Sequence, residues 1–449
     1  MPSYPGLECL TAEIAALDPV HDVGRVSEIS GGQILARGLS HCASIGDQVE
    51  IRARSGGRVH GEVTALDGGS VSILPDSPPE GILIGDRVIL MGPVSIAPHE
   101  SWIGRIVDPA GQPLDGRPLL RGPAARPLRA SPPPPARRRA LGERLETGTA
   151  VFNTLLPLVR GQRIGLFAGS GVGKSSLLAQ FARAVEADVV VIAMIGERGR
   201  EIREFVEKVL GAEGLARSIV VAATSDQSAA VRRRCAWAAM SIAEHFRDQG
   251  AHVLLLADSV TRFAEAHREI ALMSGEAASL RGYPPSMAHQ IMQLCERAGP
   301  GAEDMGDITA VLTVLVAGSD MEEPVADVLR GVLDGHVVMD RRIAERGRYP
   351  AIDLLRSVSR SLPDAATPEE NRLISDARRY LGAYEKAELM IQAGLYADGS
   401  DREIDAAIRI WPKLDAFLAS TAPGGIAESF ARLAECLAVA DDEAAGADS

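Results

Sequence analysis

The sequence predicts an α/β protein in which a mostly parallel β-sheet lies between an N-terminal β-barrel and a C-terminal helical domain. In residues 22–95, short runs of alternating apolar and polar residues are separated by turn residues, which is typical of a small closed barrel. From residue 161 onward, continuous apolar runs alternate with helical segments, as in a buried parallel sheet. After about residue 362 the strand patterns stop and helical spacing takes over.

The length of 449 residues suggests about three domains, and the change of pattern places their boundaries. We expect an N-terminal partner-binding segment at 1–21, the barrel at 22–95, the α/β core at 96–362 and the helical domain at 363–449. Within the core, residues 117–144 form a connector rich in proline and arginine.

Two segments outside the sheet have patterns with more than one interpretation. Apolar residues recur at helical spacing in residues 7–17, and the helix either binds a partner or packs on its own domain. Arg137, Arg138 and Arg139 lie in the connector, where we expect a solvated face that contacts a neighbouring subunit or an acidic surface.

Composition excludes several classes of function. Lysine and arginine total 47 against 60 acidic residues, a net charge of −13, which weighs against nucleic-acid binding. The five cysteines show no CxxC spacing and the histidines no metal-ligand spacing, so the sequence predicts neither a disulfide framework nor a zinc site. No apolar run is long enough to span a bilayer and no secretion signal is visible, so we expect a cytoplasmic protein.

A glycine-rich phosphate-binding loop, AGSGVGKS, lies between a predicted strand and a predicted helix at residues 168–175. Its glycines allow successive backbone N–H groups to face one phosphate, and the helix that follows adds its N-terminal dipole. Lys174 would reach the β- and γ-phosphates, and the Ser175 hydroxyl would ligate Mg²⁺. The predicted nucleotide-binding residues are Gly169, Ser170, Gly171, Val172, Gly173, Lys174, Ser175 and Ser176.

Asp258 ends the apolar run HVLLLADS. A carboxylate at the carboxyl end of a parallel strand projects into the crevice where open α/β sheets bind ligands. It can hold Mg²⁺ there, or it can cap the next helix, a role that Ser259 can also fill. Beside a phosphate-binding loop, the metal role is favoured.

Glu197 follows Lys174 by one helix and one strand, which returns the chain to the same edge of the sheet. A carboxylate at that edge can orient and deprotonate an attacking water. Alternatively, Glu197 forms a salt bridge with Arg198, Arg200 or Arg203, and the spacing favours neither role.

Arg360 lies in the segment RSVSR, just after the strand region. Phosphoryl transfer accumulates negative charge, which an arginine from a neighbouring molecule can stabilise. Arg356 in the same segment is a competing candidate.

These motifs, in this order, resemble the flagellum-specific export ATPases of type III secretion, a family similar to the catalytic β subunit of rotary ATP synthases. The similarity is clear over roughly residues 100–420, whereas residues 20–95 share only the general pattern of short strands and turns. The matching phrases are GRIVDPAGQPLDG (104–116), GQRIGLFAGSGVGKSSLL (161–178), IGERGREIREF (195–205), LLLADSVTRFA (254–264), RGYPPS (281–286), DMEEPVADVLRGVLDGHVVMDR (320–341), YPAIDLLRSVSR (349–360) and GLYADGSDREIDAAI (394–408).

The resemblance implies a RecA-like P-loop core that binds Mg-ATP through Lys174, Ser175 and the loop backbone. It places Asp258 beside the metal and Glu201 in the layer around the metal's ligands. It makes Glu197 the water-activating carboxylate and puts Arg198 near the γ-phosphate.

In the same way the resemblance implies a homohexameric ring, in which Arg360 reaches the site of a neighbouring subunit. The implied partners are regulatory and stalk proteins of the export apparatus, the export gate at the inner membrane, and exported flagellar proteins with their chaperones. No nucleic-acid partner is expected. The enzyme would be cytoplasmic and peripherally associated with the cytoplasmic face of the inner membrane.

Three alternatives remain open at this point. A virulence-type secretion ATPase has the same fold and differs only weakly in sequence. A non-catalytic nucleotide-binding ring subunit would have a neutral residue in place of Glu197. An RNA translocase would need a basic barrel with aromatic residues, whereas residues 22–95 contain no Trp, Tyr or Phe.

Overall fold

The computed structural model describes residues 6–17, 20–316 and 321–438. Parts of the predicted segments 1–21 and 363–449 therefore lie outside the described residues. Within the described ranges, no helix is both long and apolar enough to cross a membrane.

The N-terminal barrel is a closed antiparallel sheet with the strand order β1-β2-β5-β4-β3-β6. Because apolar and polar residues alternate, one face of each strand points into an apolar interior, which includes Ile34, Val49, Ile73 and Val88. Its strands are β1 (Val23–Ser30), β2 (Gln33–Arg37), β3 (Asp47–Arg52), β4 (Arg58–Leu66), β5 (Val71–Pro75) and β6 (Arg87–Pro93).

The connection from the barrel to the core is held against the core by ion pairs. It contains β7 (Ser95–Ile96), β8 (Arg105–Val107) and β9 (Arg126–Pro127), and β7 pairs with β9. The expectation of a solvated arginine face is wrong for Arg138, whose side chain is only 15 % exposed, whereas Arg137 and Arg139 are exposed. Arg138 pairs with Glu296 at 3.4 Å and Arg139 with Asp307 at 2.7 Å, so both are neutralised within the chain.

The core sheet has the strand order β17-β16-β10-β15-β13-β11-β12-β8, with β14 paired to β15. Its pairs are parallel except β16–β17 and β14–β15. β13 is buried along its whole length, as its apolar sequence requires. The strands are β10 (Arg163–Ala168), β11 (Val189–Glu197), β12 (Ser218–Thr224), β13 (His252–Asp258), β14 (Gly299–Pro300), β15 (Asp307–Leu315), β16 (Gly335–Met339) and β17 (Ile352–Ser359).

Helices cover the sheet and give it two apolar interiors. One contains Phe152 and Phe181, and the other contains Trp237 and Phe263. The helices before the C-terminal domain are α1 (Leu7–Ala15), α2 (Ala150–Asn153), α3 (Lys174–Ala184), α4 (Gly199–Glu204), α5 (Gly211–Ala216), α6 (Ala229–Asp248), α7 (Val260–Met273), α8 (Ser286–Arg297), α9 (Pro324–Val332) and α10 (Arg341–Glu345). A π-helix spans Phe205–Leu210 between α4 and α5.

The C-terminal domain consists of α11 (Pro368–Gln392), α12 (Arg402–Leu418) and α13 (Gly425–Ala438). The side chain of Thr367 and that of Glu370 form a reciprocal capping box that starts α11. Apolar residues of all three helices pack into the same cluster as Phe152 of the core. The predicted combination of barrel, mostly parallel sheet and C-terminal helices is thus confirmed.

The N-terminal helix α1 buries Cys9 but leaves its larger apolar residues, and Leu17 just beyond its end, exposed. Leu7, Leu10, Ile14 and Leu17 are between 56 % and 70 % exposed. Within the described residues, the leucine and isoleucine side chains of this helix are therefore not covered by the domain that follows.

Candidate functional site

The phosphate-binding loop connects the carboxyl end of β10 to the N-terminus of α3. Gly171 and Gly173 adopt left-handed backbone conformations, with φ of +79° and +88°. A Cβ atom on Gly173 would lie 3.0 Å from the ring of Tyr349, so space as well as conformation favours glycine there. The sharp turn that results puts Lys174 at the first position of the helix.

A pocket of about 1020 Å³ opens at this edge of the sheet. It brings together the loop with the ends of β11 and β13 and the first turn of α7, as expected for the ligand crevice of an open α/β sheet. The predicted residues that line it are Gly169, Ser170, Gly171, Gly173, Lys174, Ser175, Ser176, Glu197, Arg198, Glu201 and Asp258. Val172 is the exception among the loop residues, because its side chain is buried in the apolar core.

Asp258 is directed at the phosphate-binding loop. Its side chain is buried, and its Oδ1 atom accepts hydrogen bonds from Lys174 Nζ and, at 2.8 Å, from Thr313 Oγ1. The Ser259 hydroxyl caps α7 by accepting from the backbone N–H of Arg262 at 3.3 Å. Asp258 therefore does not serve as the helix cap, and its carboxylate faces the loop.

Glu197 ends β11 just after Gly196, which has a φ of +67°. Burial raises the pKa of Glu197 to about 7; the negative charge of Asp258 adds to this rise, and the charge of Lys174 opposes it. Its backbone carbonyl accepts a hydrogen bond from Ser225 N at 3.0 Å, which fixes the turn. A carboxyl group with a pKa near neutrality is suited to exchange protons at physiological pH.

The alternative salt bridges of Glu197 do not form among the described residues. Arg198 donates to Glu201 at 3.2 Å and Arg203 to Glu207 at 2.8 Å. Since Arg198 is 80 % exposed at the rim of the pocket, its guanidinium has room to reach a ligand.

Three arginines that line the pocket, Arg262, Arg232 and Arg281, were not among the predicted site residues. Arg262 stands in the first turn of α7, and its pKa is raised mainly by its hydrogen bond to Glu265, with Glu197 and Asp258 adding smaller effects. The available signal was its place in the first turn of the helix that begins directly after Asp258, because the N-terminus of that helix lies at the same edge of the sheet.

The second arginine, Arg232 on α6, lines the same pocket. It donates to both carboxylate oxygens of Glu269, at 2.9 and 2.8 Å, and to the backbone carbonyl of Gln227 at 3.1 Å. Its side chain also packs on the turn at Gly196. The turn that orients Glu197 is therefore braced by α6 and α7.

A second cavity of about 390 Å³ adjoins the loop on its other side. The half-exposed ring of Tyr349 stands in its wall beside Gly173 and Ser176, opposite residues 419–421 of the C-terminal domain. The sequence analysis did not predict this cavity, since the segments that line it are some 70 positions apart.

Arg360 lies at the opposite end of the sheet from the loop. Ser359 pairs with Gly335 at the amino end of β16, whereas Met339 at the carboxyl end of β16 pairs with Ala168, next to the loop. The Arg360 side chain is exposed and donates to the carbonyl of Arg330 at 3.0 Å. Arg356 approaches Asp340 at 4.0 Å. The structure thus separates both arginines from the pocket of their own chain.

Comparison with known proteins places this arrangement in a family. Residues 148–359 match the nucleotide-binding domain of the ATP synthase alpha/beta family, and residues 366–435 match the T3SS EscN ATPase C-terminal domain. A "Flagellum-specific ATP synthase" of Caulobacter vibrioides is 44 % identical over 92 % of this chain and 94 % of its own length. A "Type 3 secretion system ATPase" of Xanthomonas euvesicatoria is 41 % identical over 89 % of this chain and 90 % of its own.

A solved structure of assembled EscN with its central stalk EscO, from enteropathogenic E. coli, is similar throughout. It superimposes with a TM-score of 0.83 at 37 % identity and covers 92 % of this chain and 100 % of the other. The chain therefore belongs to the ATP synthase alpha/beta family, as a P-loop enzyme that hydrolyses ATP. Within that family it is a type III secretion export ATPase, and the names of its relatives support the flagellar branch over the virulence branch. The resemblance noted in the motifs is confirmed.

Proposed function

We propose that this chain binds Mg-ATP at the carboxyl edge of its sheet and hydrolyses it in a homohexameric ring to energise the export of flagellar proteins. The observation that supports the proposal most is the convergence of Lys174, Asp258 and Glu197 on one pocket. Three segments distant in sequence supply a phosphate-binding cation, a buried acid and a carboxyl group poised near neutral pH.

Each charged group has a distinct role in this proposal. Lys174 and the loop N–H groups hold the β- and γ-phosphates. Glu197 accepts a proton from the attacking water while the water oxygen forms a bond to the γ-phosphorus. At the same time the bond between the γ-phosphorus and the β-phosphate oxygen breaks, which releases ADP and phosphate. Arg198 and Arg262 offset charge on the phosphate oxygens from the rim of the same pocket.

The donors in the pocket fit Mg²⁺. The carboxylates of Asp258 and Glu197 lie close enough for one charge to raise the pKa of the other, and a cation would remove that repulsion. Asp258 and the Ser175 hydroxyl would hold the ion, with Glu201 supporting the ligands around it. When bound, Mg²⁺ neutralises phosphate charge and favours attack at the γ-phosphorus.

The base of the nucleotide would lie in the cavity beside Tyr349. The ring stands next to the phosphate-binding loop, so a nucleotide with its phosphates at Lys174 would reach it. Residues 419–421 form the other wall, which would make nucleotide contacts sensitive to the position of the C-terminal domain.

A ring would complete the site. Arg360 is exposed at the opposite sheet end, where it can approach the phosphates of a neighbouring copy; Arg356 is the alternative. The relative EscN was solved as an assembly with its central stalk, and we propose a homohexamer with a stalk protein for this chain as well.

The remaining partners follow from the exposed surfaces and the family. The apolar face of α1 would bind a regulatory protein of the export apparatus, since its leucines are exposed. The enzyme would work in the cytoplasm at the inner face of the membrane, beside the export gate, and receive exported proteins and chaperones. Nucleic acid is not among the proposed partners, given the net charge of −13.

Substitution of Lys174 tests the nucleotide site. We expect Lys174→Ala to abolish ATPase activity, because the phosphates lose their principal cation, and to abolish motility and flagellar secretion when it replaces the wild type. Lys208→Ala is the matched control, since Lys208 is an exposed lysine that pairs with Glu204. Wild-type hydrolysis by Lys174→Ala would refute the site, and intact motility without hydrolysis would refute the role in export.

A further inference from the structure

Asp22, His41 and Cys42 meet on the surface of the N-terminal barrel. One ligand atom from each side chain, an oxygen, a nitrogen and a sulfur, lies within 4.8 Å of the other two. Asp22 immediately precedes β1, and His41 and Cys42 lie in the loop between β2 and β3. Residue spacing did not predict this cluster, because a whole hairpin separates the two segments in the sequence.

The backbone holds both segments in place. The carbonyl of Asp22 accepts a hydrogen bond from Leu90 N of β6 at 2.9 Å. On the other side, Cys42 N and Ala43 N donate to the carbonyl of Leu39 at 3.1 and 2.9 Å, and Leu39 and Ala43 are buried in the barrel interior. The three side chains therefore extend from fixed points of the barrel and not from free loops.

Their chemistry selects a class of cation. We propose that Asp22, His41 and Cys42 form a binding site for a sulfur-preferring divalent transition metal such as Zn²⁺. Thiolate, imidazole and carboxylate are the ligands that Zn²⁺ takes in proteins, whereas Mg²⁺ and Ca²⁺ require mostly oxygen. Three protein ligands leave one tetrahedral position for water.

The electrostatics of the cluster favour a cation. The Asp22 carboxylate and the Cys42 thiol, both acidic groups, share a single small space beside His41. A divalent cation stabilises the carboxylate and the thiolate together and releases the thiol proton. The bound ion would also fasten the segment between α1 and the barrel to the loop after β2.

The experiment measures metal uptake by the full-length protein, with Mg-ADP present to occupy the nucleotide site. Isothermal titration with Zn²⁺ should give one equivalent per chain, and Co²⁺ should produce a sulfur-to-metal charge-transfer band with the visible spectrum of a tetrahedral site. Cys42→Ser and His41→Ala should each lower Zn²⁺ affinity by at least about tenfold, and Cys42→Ser should abolish the sulfur band.

Two matched variants serve as controls. Cys436→Ser removes a half-buried cysteine and His289→Ala an exposed histidine, both outside the cluster, and both should leave uptake unchanged. ATPase activity of every variant shows that the fold is intact. Absence of one-equivalent binding, a Co²⁺ spectrum without sulfur ligation, or equal affinity of Cys42→Ser and wild type would each overturn the proposal.

Discussion

The two ends of the parallel strands in the core sheet differ in how they arrange charged side chains. At the carboxyl ends, Lys174, Asp258 and Glu197 converge in one pocket of the same chain. At the opposite end, Arg360 points outward and donates to a backbone carbonyl. Both ends carry groups suited to phosphoryl transfer, but a single copy keeps them apart. The difference is the one expected if, as proposed, one chain holds the nucleotide and offers its arginine to another.

The largest effect is expected from Arg360→Ala. Turnover should fall by about 10³-fold or more, because the charge that builds up in phosphoryl transfer loses its external cation. Nucleotide binding, measured with a fluorescent ATP analogue, should persist because Arg360 lies away from the pocket of its own chain. Arg356→Ala is the control from the same segment. If Arg356→Ala lowered turnover more than Arg360→Ala does, Arg356 would take this role in place of Arg360.

Glu197→Gln addresses the pocket end of the comparison. We expect kcat to fall by about 10²–10⁴-fold while nucleotide binding is retained, since the amide keeps the shape but accepts no proton. The change should be visible in steady-state hydrolysis alongside equilibrium binding. Unchanged hydrolysis would remove Glu197 from the base role.

The pH dependence sharpens the same assignment. With a pKa of about 7 in the nucleotide-free protein, Glu197 is protonated below that pH and ionised above it. Only the ionised form accepts a proton from water, so kcat/KM should rise as the pH increases through about 7. In Glu197→Gln the residual activity should lack this rise, and a profile identical to that of the wild type would point to another base.

A smaller effect is expected at the second cavity. Tyr349→Ala should raise KM for ATP by about 10–100-fold, the range measured for lost stacking between a base and an aromatic ring. Because Tyr349 does not line the pocket that contains Lys174, Asp258 and Glu197, kcat should change little, and Tyr349→Phe should restore the wild-type KM. A fall in kcat with unchanged KM would show that the base does not lie against this ring.

Local sequence motifs were enough to predict most of the fold and the phosphate-binding loop. The loop at 168–175 was predictable because its strand, glycines, lysine and helix are contiguous in the sequence. The continuous apolar runs likewise predicted a buried sheet. The role of Asp258 was ambiguous until the structure showed Ser259 capping the helix. Only the folded chain could decide between two adjacent residues that are both good caps.

Contacts between distant segments could not be predicted in the same way. The cavity at Tyr349 needs residues 419–421, and no periodic pattern links them. Arg138 was expected on a solvated face, yet its side chain is largely buried beside Glu296. Arg139 stays exposed, and its acidic partner is Asp307 of the same chain. Such pairings depend on tertiary structure and leave no trace in local composition.

Mixing two inactive variants tests the central claim, that the site is completed by Arg360 of another copy. Lys174→Ala retains Arg360 but has no working pocket, and Arg360→Ala retains the pocket but has no arginine. If Arg360 acts between copies, mixed assemblies contain sites with an intact pocket beside an intact arginine, and ATPase activity should reappear well above the sum of the two. Activity no greater than that sum, in mixtures shown to co-assemble, would contradict the account.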